Sequence, residues 1–298
     1  MRPTDKQIGH LLGFFCALVW GGTFVASKQL LGHYTPTQLM FMRFVIAYGM
    51  LWLIHRKRLR TDLREELMYL AMGITGCTVY FWAENTALTI TYAANVSTIV
   101  AAAPIFTAIL AHFFTQGKER LNRWIWLGFA LAFGGVVLVV CNGAFVFHLN
   151  PLGDLLALAT AAVWAVFTIL QGRALQRRSS LFITRKVMFY GIVTSIPFLL
   201  GEGTADFSLA PVFTSGINLF CLLFLGVVGS ALCYVAWCTA ERHLGLVVTS
   251  NYIYTIPFIT LIVSALCLDE PISPMGVLGA VLIVAGVWVS GRKTPQEE

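Results

Sequence analysis

The sequence that decides the fold is residues 217–239, INLFCLLFLGVVGSALCYVAWCT, an apolar stretch without a charged residue. A transmembrane helix needs about 20 consecutive apolar residues, because that length crosses the hydrocarbon core of a bilayer. A membrane β-barrel would instead need strands that alternate between apolar and polar positions, whereas this stretch is apolar at successive positions. It therefore predicts a membrane-spanning α-helix.

Nine similar runs lie along the chain, and the ten predicted spans are 8–29, 37–54, 67–87, 93–114, 124–141, 153–171, 187–200, 217–239, 247–268 and 275–290. Hydrophobic residues make up 58% of the chain and charged residues 11%, whereas soluble domains carry about 25% charged residues. This composition argues against a soluble enzyme, a disordered chain and a nucleic-acid-binding module. We expect an all-α integral membrane protein of ten transmembrane helices, with the first run retained rather than cleaved as a signal peptide.

The basic residues are distributed unevenly among the connections. Of the 20 Lys and Arg residues, 18 fall on one side of the predicted membrane, and the exceptions are Lys28 and Arg43. Because cytoplasmic connections are enriched in Lys and Arg, both termini are expected in the cytoplasm of a bacterial cell, with the protein in the inner membrane. The net charge of +6 is then explained by topology rather than by an acidic partner.

The chain repeats itself across its midpoint. One face of the first predicted span, Trp20-Thr23-Phe24-Ser27, corresponds to the face Trp164-Phe167-Thr168-Gln171 of the sixth, and both follow the spacing of one helix surface. A second match, offset by 153 residues, pairs Pro104 with Pro257. Five spans in each half place the second half upside down in the membrane, as in the inverted repeats of secondary transporters. The predicted halves are residues 1–145 and 150–298.

Several motifs occur in order along the chain: Leu18-Val19-Trp20-Gly21, Arg43-Phe44, Glu84-Asn85-Thr86-Ala87-Leu88, Tyr92-Ala93-Ala94-Asn95, Pro104-Ile105-Phe106-Thr107 and Glu119. With these motifs, almost the whole chain resembles the EamA-type ten-helix permeases of the drug/metabolite transporter superfamily. The resemblance implies a carrier of small organic solutes, often an exporter of amino acids or other metabolites, and does not fix the substrate. The second half departs from the pattern, because Trp237 stands at the place of Glu84.

Glu84, late in the third span, is the main candidate for coupling. Polar groups inside a membrane are costly and are often functional. Glu84 is expected either to exchange a proton or to hold a substrate amine, with Tyr80 one turn before it. The alternatives are a structural carboxylate paired with Arg43 or Lys28, or a carboxylate at the outer membrane interface. Arg43 has three alternatives, which are snorkelling to the interface, pairing with Glu84, and attracting a substrate carboxylate.

Aromatic residues on corresponding faces are the candidates for the walls of a substrate cavity. Trp20 and Trp164 are expected to face it from opposite halves, and Tyr234 and Trp237 extend the wall on the eighth span. Such walls suit apolar side chains and, through cation–π contacts, amines. Ordinary helix packing is the alternative for all four residues.

Two prolines inside predicted spans are candidate hinges. Pro104 follows Asn95, and Pro257 follows Asn251 and Tyr254, so these polar residues are candidates for substrate binding. A proline in the middle of a helix frees the carbonyl four residues before it, and in a membrane that carbonyl must find another partner. The alternative is a kink that only shapes packing.

These features favour a secondary active transporter, an exporter of amino acids or amines that works by alternating access. The expected partners are a small-molecule substrate, the lipid bilayer and protons, with a monomer as the plausible state. No cofactor, metal or catalytic residue is predicted, since the chain lacks HExxH, GxSxG and Walker-type motifs. Two alternatives stay open, which are a transporter of anionic sugar-phosphates or nucleotide-sugars, and a membrane-embedded sensor or enzyme.

Overall fold

The computed structural model describes residues 4–57, 60–90, 93–114, 123–141, 151–202, 207–268 and 274–290, and these residues form helices and turns without a strand. They contain ten long helical segments, labelled α1 to α10 in chain order. The first five are α1 (Asp5–Leu31), α2 (Pro36–Ile54), α3 (Leu63–Gly73, a π-helical turn Ile74–Val79, and Tyr80–Ile90), α4 (Ala93–Val100 and Ala103–Phe114) and α5 (Arg123–Cys141). The second five are α6 (Pro151–Leu175), α7 (Ser180–Glu202), α8 (Gly216–Leu223, a π-helical turn Phe224–Leu232, and Cys233–Leu244), α9 (Leu246–Ser250, a 3₁₀ turn Asn251–Thr255, and Ile256–Leu268) and α10 (Pro274–Ser290). A short helix, Ala210–Thr214, precedes α8.

Seven segments contain helices long and apolar enough to cross a membrane: α1, α2, α4, α6, α7, α8 and α9. Of the others, α10 has 17 residues, α5 contains the shorter apolar stretch Trp126–Gly135, and α3 carries Glu84 and Asn85 among its apolar residues. The segments nevertheless follow the ten predicted runs in order. The chain is thus an all-α integral membrane protein, as its composition predicts.

Local signals in the sequence explain where several helices begin and end. Thr4 and Thr35 begin α1 and α2 as N-caps, and each exchanges hydrogen bonds with a glutamine three residues later in a capping box. Gly245 separates α8 from α9 with φ 86°, a backbone conformation that glycine adopts without steric cost. Because this turn is tight, α9 follows α8 at once.

The helices of the two halves pack in a repeated pattern. Helix α1 packs on α8 and α9, and its counterpart α6 packs on α3 and α4. Helix α2 packs on α7, and α5 packs on α10. The π-helical turns also recur at corresponding places, within α3 and α8. This reciprocal packing of helices supports two related halves built around a shared centre. The boundaries of the halves, 1–145 and 150–298, stay a prediction.

Helix α7 begins before the predicted span 187–200, because two basic residues assigned to a connection lie within it. Arg185 and Lys186 are 6% and 9% exposed. Arg185 donates hydrogen bonds to the carbonyls of His55 and Lys57, at 2.8 Å for the latter, and Lys186 pairs with Glu66. These contacts give each cation hydrogen-bond partners inside the protein, and the helix extends back to Ser180.

The prolines do not interrupt continuous helices, and this corrects the assumption of mid-helix kinks. Pro104 is the second residue of Ala103–Phe114 and Pro257 the second of Ile256–Leu268. In the first turn of a helix, the missing N–H of proline costs no hydrogen bond. The carbonyl of Ile253, predicted to be free, accepts from the Ile256 N–H in the 3₁₀ turn. The helix break before each proline, at matching places in α4 and α9, is the feature that a hinge would use.

Candidate functional site

Four large aromatic side chains meet where α1, α6 and α8 come together. The Trp20 and Trp164 rings, from opposite halves, have centroids 5.5 Å apart at 85°. Trp237 lies 4.9 Å from Trp20, and Tyr234 lies 5.9 Å from Trp164. The centroid distances lie in the range that aromatic pairs prefer, and the Trp20–Trp164 and Trp164–Tyr234 pairs are edge-to-face. Trp20 and Trp164, selected by the sequence repeat, and Tyr234 and Trp237, predicted to extend the wall, therefore lie in one cluster, which we call the aromatic centre.

The polar edges of the aromatic centre are anchored to backbone carbonyls at the π-helical turns. Trp20 Nε1 donates to the Gly229 carbonyl at 3.0 Å, and the Tyr234 hydroxyl donates to the Gly76 carbonyl at 2.7 Å. A π-helical turn leaves some carbonyls outside the regular hydrogen-bond pattern, so side chains can reach them. The two turns thereby fix the orientation of two aromatic residues.

A cavity adjoins the aromatic centre, with a volume of about 30 Å³. Its walls are Trp20, Thr23, Phe24, Arg43, Tyr80, Phe81, Glu84, Val100, Ala103, Trp164, Tyr234, Ile253 and Ile256. These residues come from both halves and include the ends of both helix breaks. The volume suffices for roughly two water molecules, so the side chains enclose the centre in this conformation.

Glu84 and Arg43 face this cavity together. Glu84 is 4% exposed and Arg43 1% exposed. Tyr80, one turn before Glu84, also lines the cavity, and Glu84 and Arg43 form no direct ion pair in the described structure. Of the predicted alternatives, the structural ion pair between them is therefore absent. Both charged groups remain able to meet a third partner.

Arg43 is held by residues that leave part of its guanidinium unsatisfied. Its Nε donates to Ser230 Oγ at 3.0 Å, and its guanidinium carbon lies 4.0 Å from the centroid of the Phe81 ring. Its Nη1 is buried and has no hydrogen-bond partner among the described residues. Snorkelling, the other predicted alternative, does not occur because the side chain is enclosed within the bundle. An unsatisfied buried donor is costly, and an anionic ligand would remove that cost.

The remaining candidates lie at different distances from the cavity. Trp237 packs behind Trp20, outside the cavity wall. Asn251 and Tyr254 are buried on α9, where the Tyr254 ring lies 6.1 Å from Phe129 of α5, so neither residue lines the cavity. The side chain of Asn95 falls outside the described part of the structure. Substrate contact by any of these residues stays a prediction.

Glu241 is a buried carboxylate that the hydropathy pattern assigns to a connection. It is 3% exposed and lies on the last turns of α8. Its Oε1 accepts from Trp237 Nε1 at 3.0 Å, and its Oε2 accepts from Gln171 Nε2 at 2.6 Å. The spacing of four residues from Trp237 is a sequence signal for this contact. Gln171, the last polar position of the repeated face, is its partner on α6.

A sequence profile of the EamA-like transporter family matches residues 7–141 and again residues 151–292. An "Uncharacterized transporter" of Archaeoglobus fulgidus is 28% identical over 292 residues, which cover 96% of this chain and 98% of that protein. The "Probable amino-acid metabolite efflux pump" of Escherichia coli is 26% identical over 285 residues, which cover 94% and 93% of the two chains. A solved crystal structure has the same fold, with a TM-score of 0.74 and 21% identity over 95% of this chain and 96% of that chain. On the twofold match of its profile, the chain belongs to the EamA-like transporter family.

Proposed function

We propose that this transporter exports small amino acids or related amines by secondary active transport. One observation carries the proposal: Glu84 and Arg43 face the same aromatic cavity, between the two halves, without pairing directly. We place the protein in a bacterial inner membrane with both termini in the cytoplasm, following the distribution of Lys and Arg. The amino-acid efflux pump of Escherichia coli named above supports the substrate class.

The two charged groups suit the two ends of a zwitterion. The Nη1 donor of Arg43, which has no hydrogen-bond partner among the described residues, would bind a substrate carboxylate, because guanidinium and carboxylate groups make strong charge-assisted hydrogen bonds. Glu84 would bind the ammonium group, and the tryptophan faces would contact both that cation and an apolar side chain. An amine without a carboxylate would use Glu84 and the aromatic residues alone.

Transport requires the aromatic centre to open, because about 30 Å³ cannot hold an amino acid. We infer that the halves rock relative to one another and open the cavity to each side in turn, as in transporters built from inverted repeats. The helix breaks before Pro104 and Pro257 would serve as hinges, since Val100 and Ala103 on one side and Ile253 and Ile256 on the other line the cavity.

We further propose that Glu84 couples transport to protons. Carboxyl groups inside membranes recur in proton relays, and a substrate ammonium would compete with a proton for the same carboxylate. Proton binding on one side and substrate binding on the other would then exchange the two across the membrane.

Proteoliposomes loaded with labelled amino acids, one at a time, test this function under an imposed pH gradient. We expect gradient-driven flux from the native protein, loss of proton coupling in Glu84→Gln, and weaker binding of carboxylate-bearing substrates in Arg43→Gln. Asp5→Asn, which removes an exposed carboxylate at the start of α1, is the control and should transport normally. Normal, pH-dependent flux by Glu84→Gln would eliminate the coupling role.

The same proteoliposomes and variants distinguish the alternative functions. Ligand binding without flux would indicate a sensor. Binding of a sugar-phosphate that is lost in Arg43→Gln would favour an anionic cargo instead. Absence of flux for every amino acid and amine would refute the proposed substrate class.

A further inference from the structure

A second cavity lies between α3 and α6, at the end of the bundle where the basic residues gather. It has a volume of about 310 Å³, within the range of about 300–1,000 Å³ for small-molecule sites. Arg64 and Met68 of α3 line one side, and Leu170, Arg173 and Arg177 line the other. This cavity shares no lining residue with the central one.

The cavity is lined by three arginines and only one carboxylate. Its acidic residue, Glu65, is already engaged, because Arg178 from outside the cavity donates to Oε1 at 3.1 Å and to Oε2 at 2.6 Å. Arg64, Arg173 and Arg177 form no ion pair with a carboxylate in the described part of the chain, and their side chains are exposed. Three arginine side chains thus line one cavity without an ion-pair partner among the described residues. Arginine forks match the oxygens of a phosphate group.

Apolar side chains continue directly from the basic end of the cavity. Met68 and Leu170 form its partly buried apolar wall. Leu67 and Phe114 beside it are 57% and 54% exposed, and the Arg173 guanidinium lies 5.9 Å from the Phe114 ring. In a membrane protein we expect such exposed apolar residues to face lipid chains, with the neighbouring guanidinium groups near the level of the phosphates.

We propose that this cavity binds the headgroup phosphate of an anionic phospholipid. Basic pockets between transmembrane helices on the cytoplasmic side suit such headgroups. A free phosphate compound would meet the same three arginines, but it would gain nothing from Met68, Leu170 and the exposed Leu67. The apolar wall therefore favours the lipid as the source of the phosphate. A bound lipid would join the first half, through α3, to the second half, through α6.

The test compares two variants of the full-length protein that lose equal charge at the same end of the bundle. The cavity variant is Arg64→Gln/Arg173→Gln/Arg177→Gln, and the control variant is Arg56→Gln/Lys57→Gln/Arg123→Gln. Native mass spectrometry of detergent-solubilised protein would titrate phosphatidylglycerol and, separately, phosphatidylcholine. Parallel arms would add glycerol 3-phosphate or inorganic phosphate as competitors.

The native protein should bind phosphatidylglycerol in preference to phosphatidylcholine. Each arginine lost from the cavity should weaken that binding roughly fivefold, and the control variant should stay within about twofold of native. Equal loss in both variants, or no preference between the two lipids, would overturn the proposal. Competition by glycerol 3-phosphate at the lipid's own concentration would assign the site to free phosphates instead. If the triple variant does not fold, Arg177→Gln alone serves, because its exposed side chain follows the end of α6.

Discussion

Gly76, in the π-helical turn of α3, allows this helix to pack directly against α6. A Cβ atom added at Gly76 would lie 2.2 Å from Cδ2 and 2.6 Å from both Cε2 and Cγ of the Phe167 ring. Phe167 is fully buried, and its ring packs against Trp164 at 5.1 Å and Tyr234 at 5.9 Å. Because the ring cannot move without displacing the aromatic centre, Gly76→Ala should destabilise the fold.

The expected change in unfolding free energy combines a packing cost with a gain in helix propensity. Adding a methyl group to a tightly packed interior costs about 1–3 kcal/mol, whereas replacing glycine by alanine within a helix gains up to about 1 kcal/mol. Gly49 of α2 isolates the second term, since an added Cβ there would meet no atom within 4 Å. The variant Gly76→Ala should therefore be less stable than Gly49→Ala by about 1–3 kcal/mol.

Unfolding by titration with sodium dodecyl sulfate in mixed micelles measures this difference. Phe167→Leu removes ring atoms, so in the Gly76→Ala background it should recover part of the lost stability, although it destabilises the native protein. Equal free energies of unfolding for Gly76→Ala and Gly49→Ala would refute the close packing of α3 on α6. An unchanged effect of Gly76→Ala in the Phe167→Leu background would show that the ring is not the obstacle.

Three further predictions concern buried and interfacial polar groups. In a double-mutant cycle, Trp237→Phe and Glu241→Leu should show a coupling of about 0.5–2 kcal/mol in unfolding free energy, because Trp237 donates a hydrogen bond to Glu241, and additivity would contradict that bond. Ser230→Ala removes the acceptor of Arg43 Nε and should cost about 1–3 kcal/mol in the same assay, with an unchanged stability as the contrary result. For Glu66, burial acts to raise the pKa, but hydrogen bonds from neighbouring side chains lower it below its usual value. Its stabilising contribution should be complete above about pH 5 and be lost as the pH falls through the lowered pKa, so Glu66→Gln should flatten the acid side of a stability–pH curve.

The hydropathy pattern predicts the helices well because lipid imposes one requirement on every span. Backbone groups must be satisfied within the segment and side chains must be apolar, and both conditions are local. The hydropathy pattern does not predict the start of α7, because that start depends on contacts with residues far away in the sequence. Arg185 and Lys186 lie inside the helix only because the His55 and Lys57 carbonyls and Glu66, more than 100 residues away, receive their hydrogen bonds. A window of sequence contains none of these partners.

The sequence predicts those residues of the candidate site that occupy equivalent positions in the two repeats. Trp20 and Trp164 occupy equivalent positions in two copies, so the duplication alone indicates that they face one another, and their rings are in contact. Glu241 has no equivalent carboxylate at offset 153, because Leu88 stands there. Its burial depends on Gln171, which the repeat identifies as polar without naming its partner. The sequence repeat therefore does not predict contacts between non-equivalent positions of the two halves.

The two halves share a packing scheme, but the surroundings of their buried carboxylates Glu84 and Glu241 differ. In the second half, Trp237 occupies the position of Glu84, and Glu241 follows one turn later with one oxygen bonded to Trp237 and the other to Gln171. A proton or an ammonium group that reached Glu241 would compete with these two hydrogen bonds. Glu84 faces the cavity with Tyr80 and forms no direct ion pair within the described part of the chain, so we expect a ligand to approach it at lower cost. We infer that Glu241 holds α8 against α6 while Glu84 exchanges partners, and the inequality of the halves assigns coupling to the first of them.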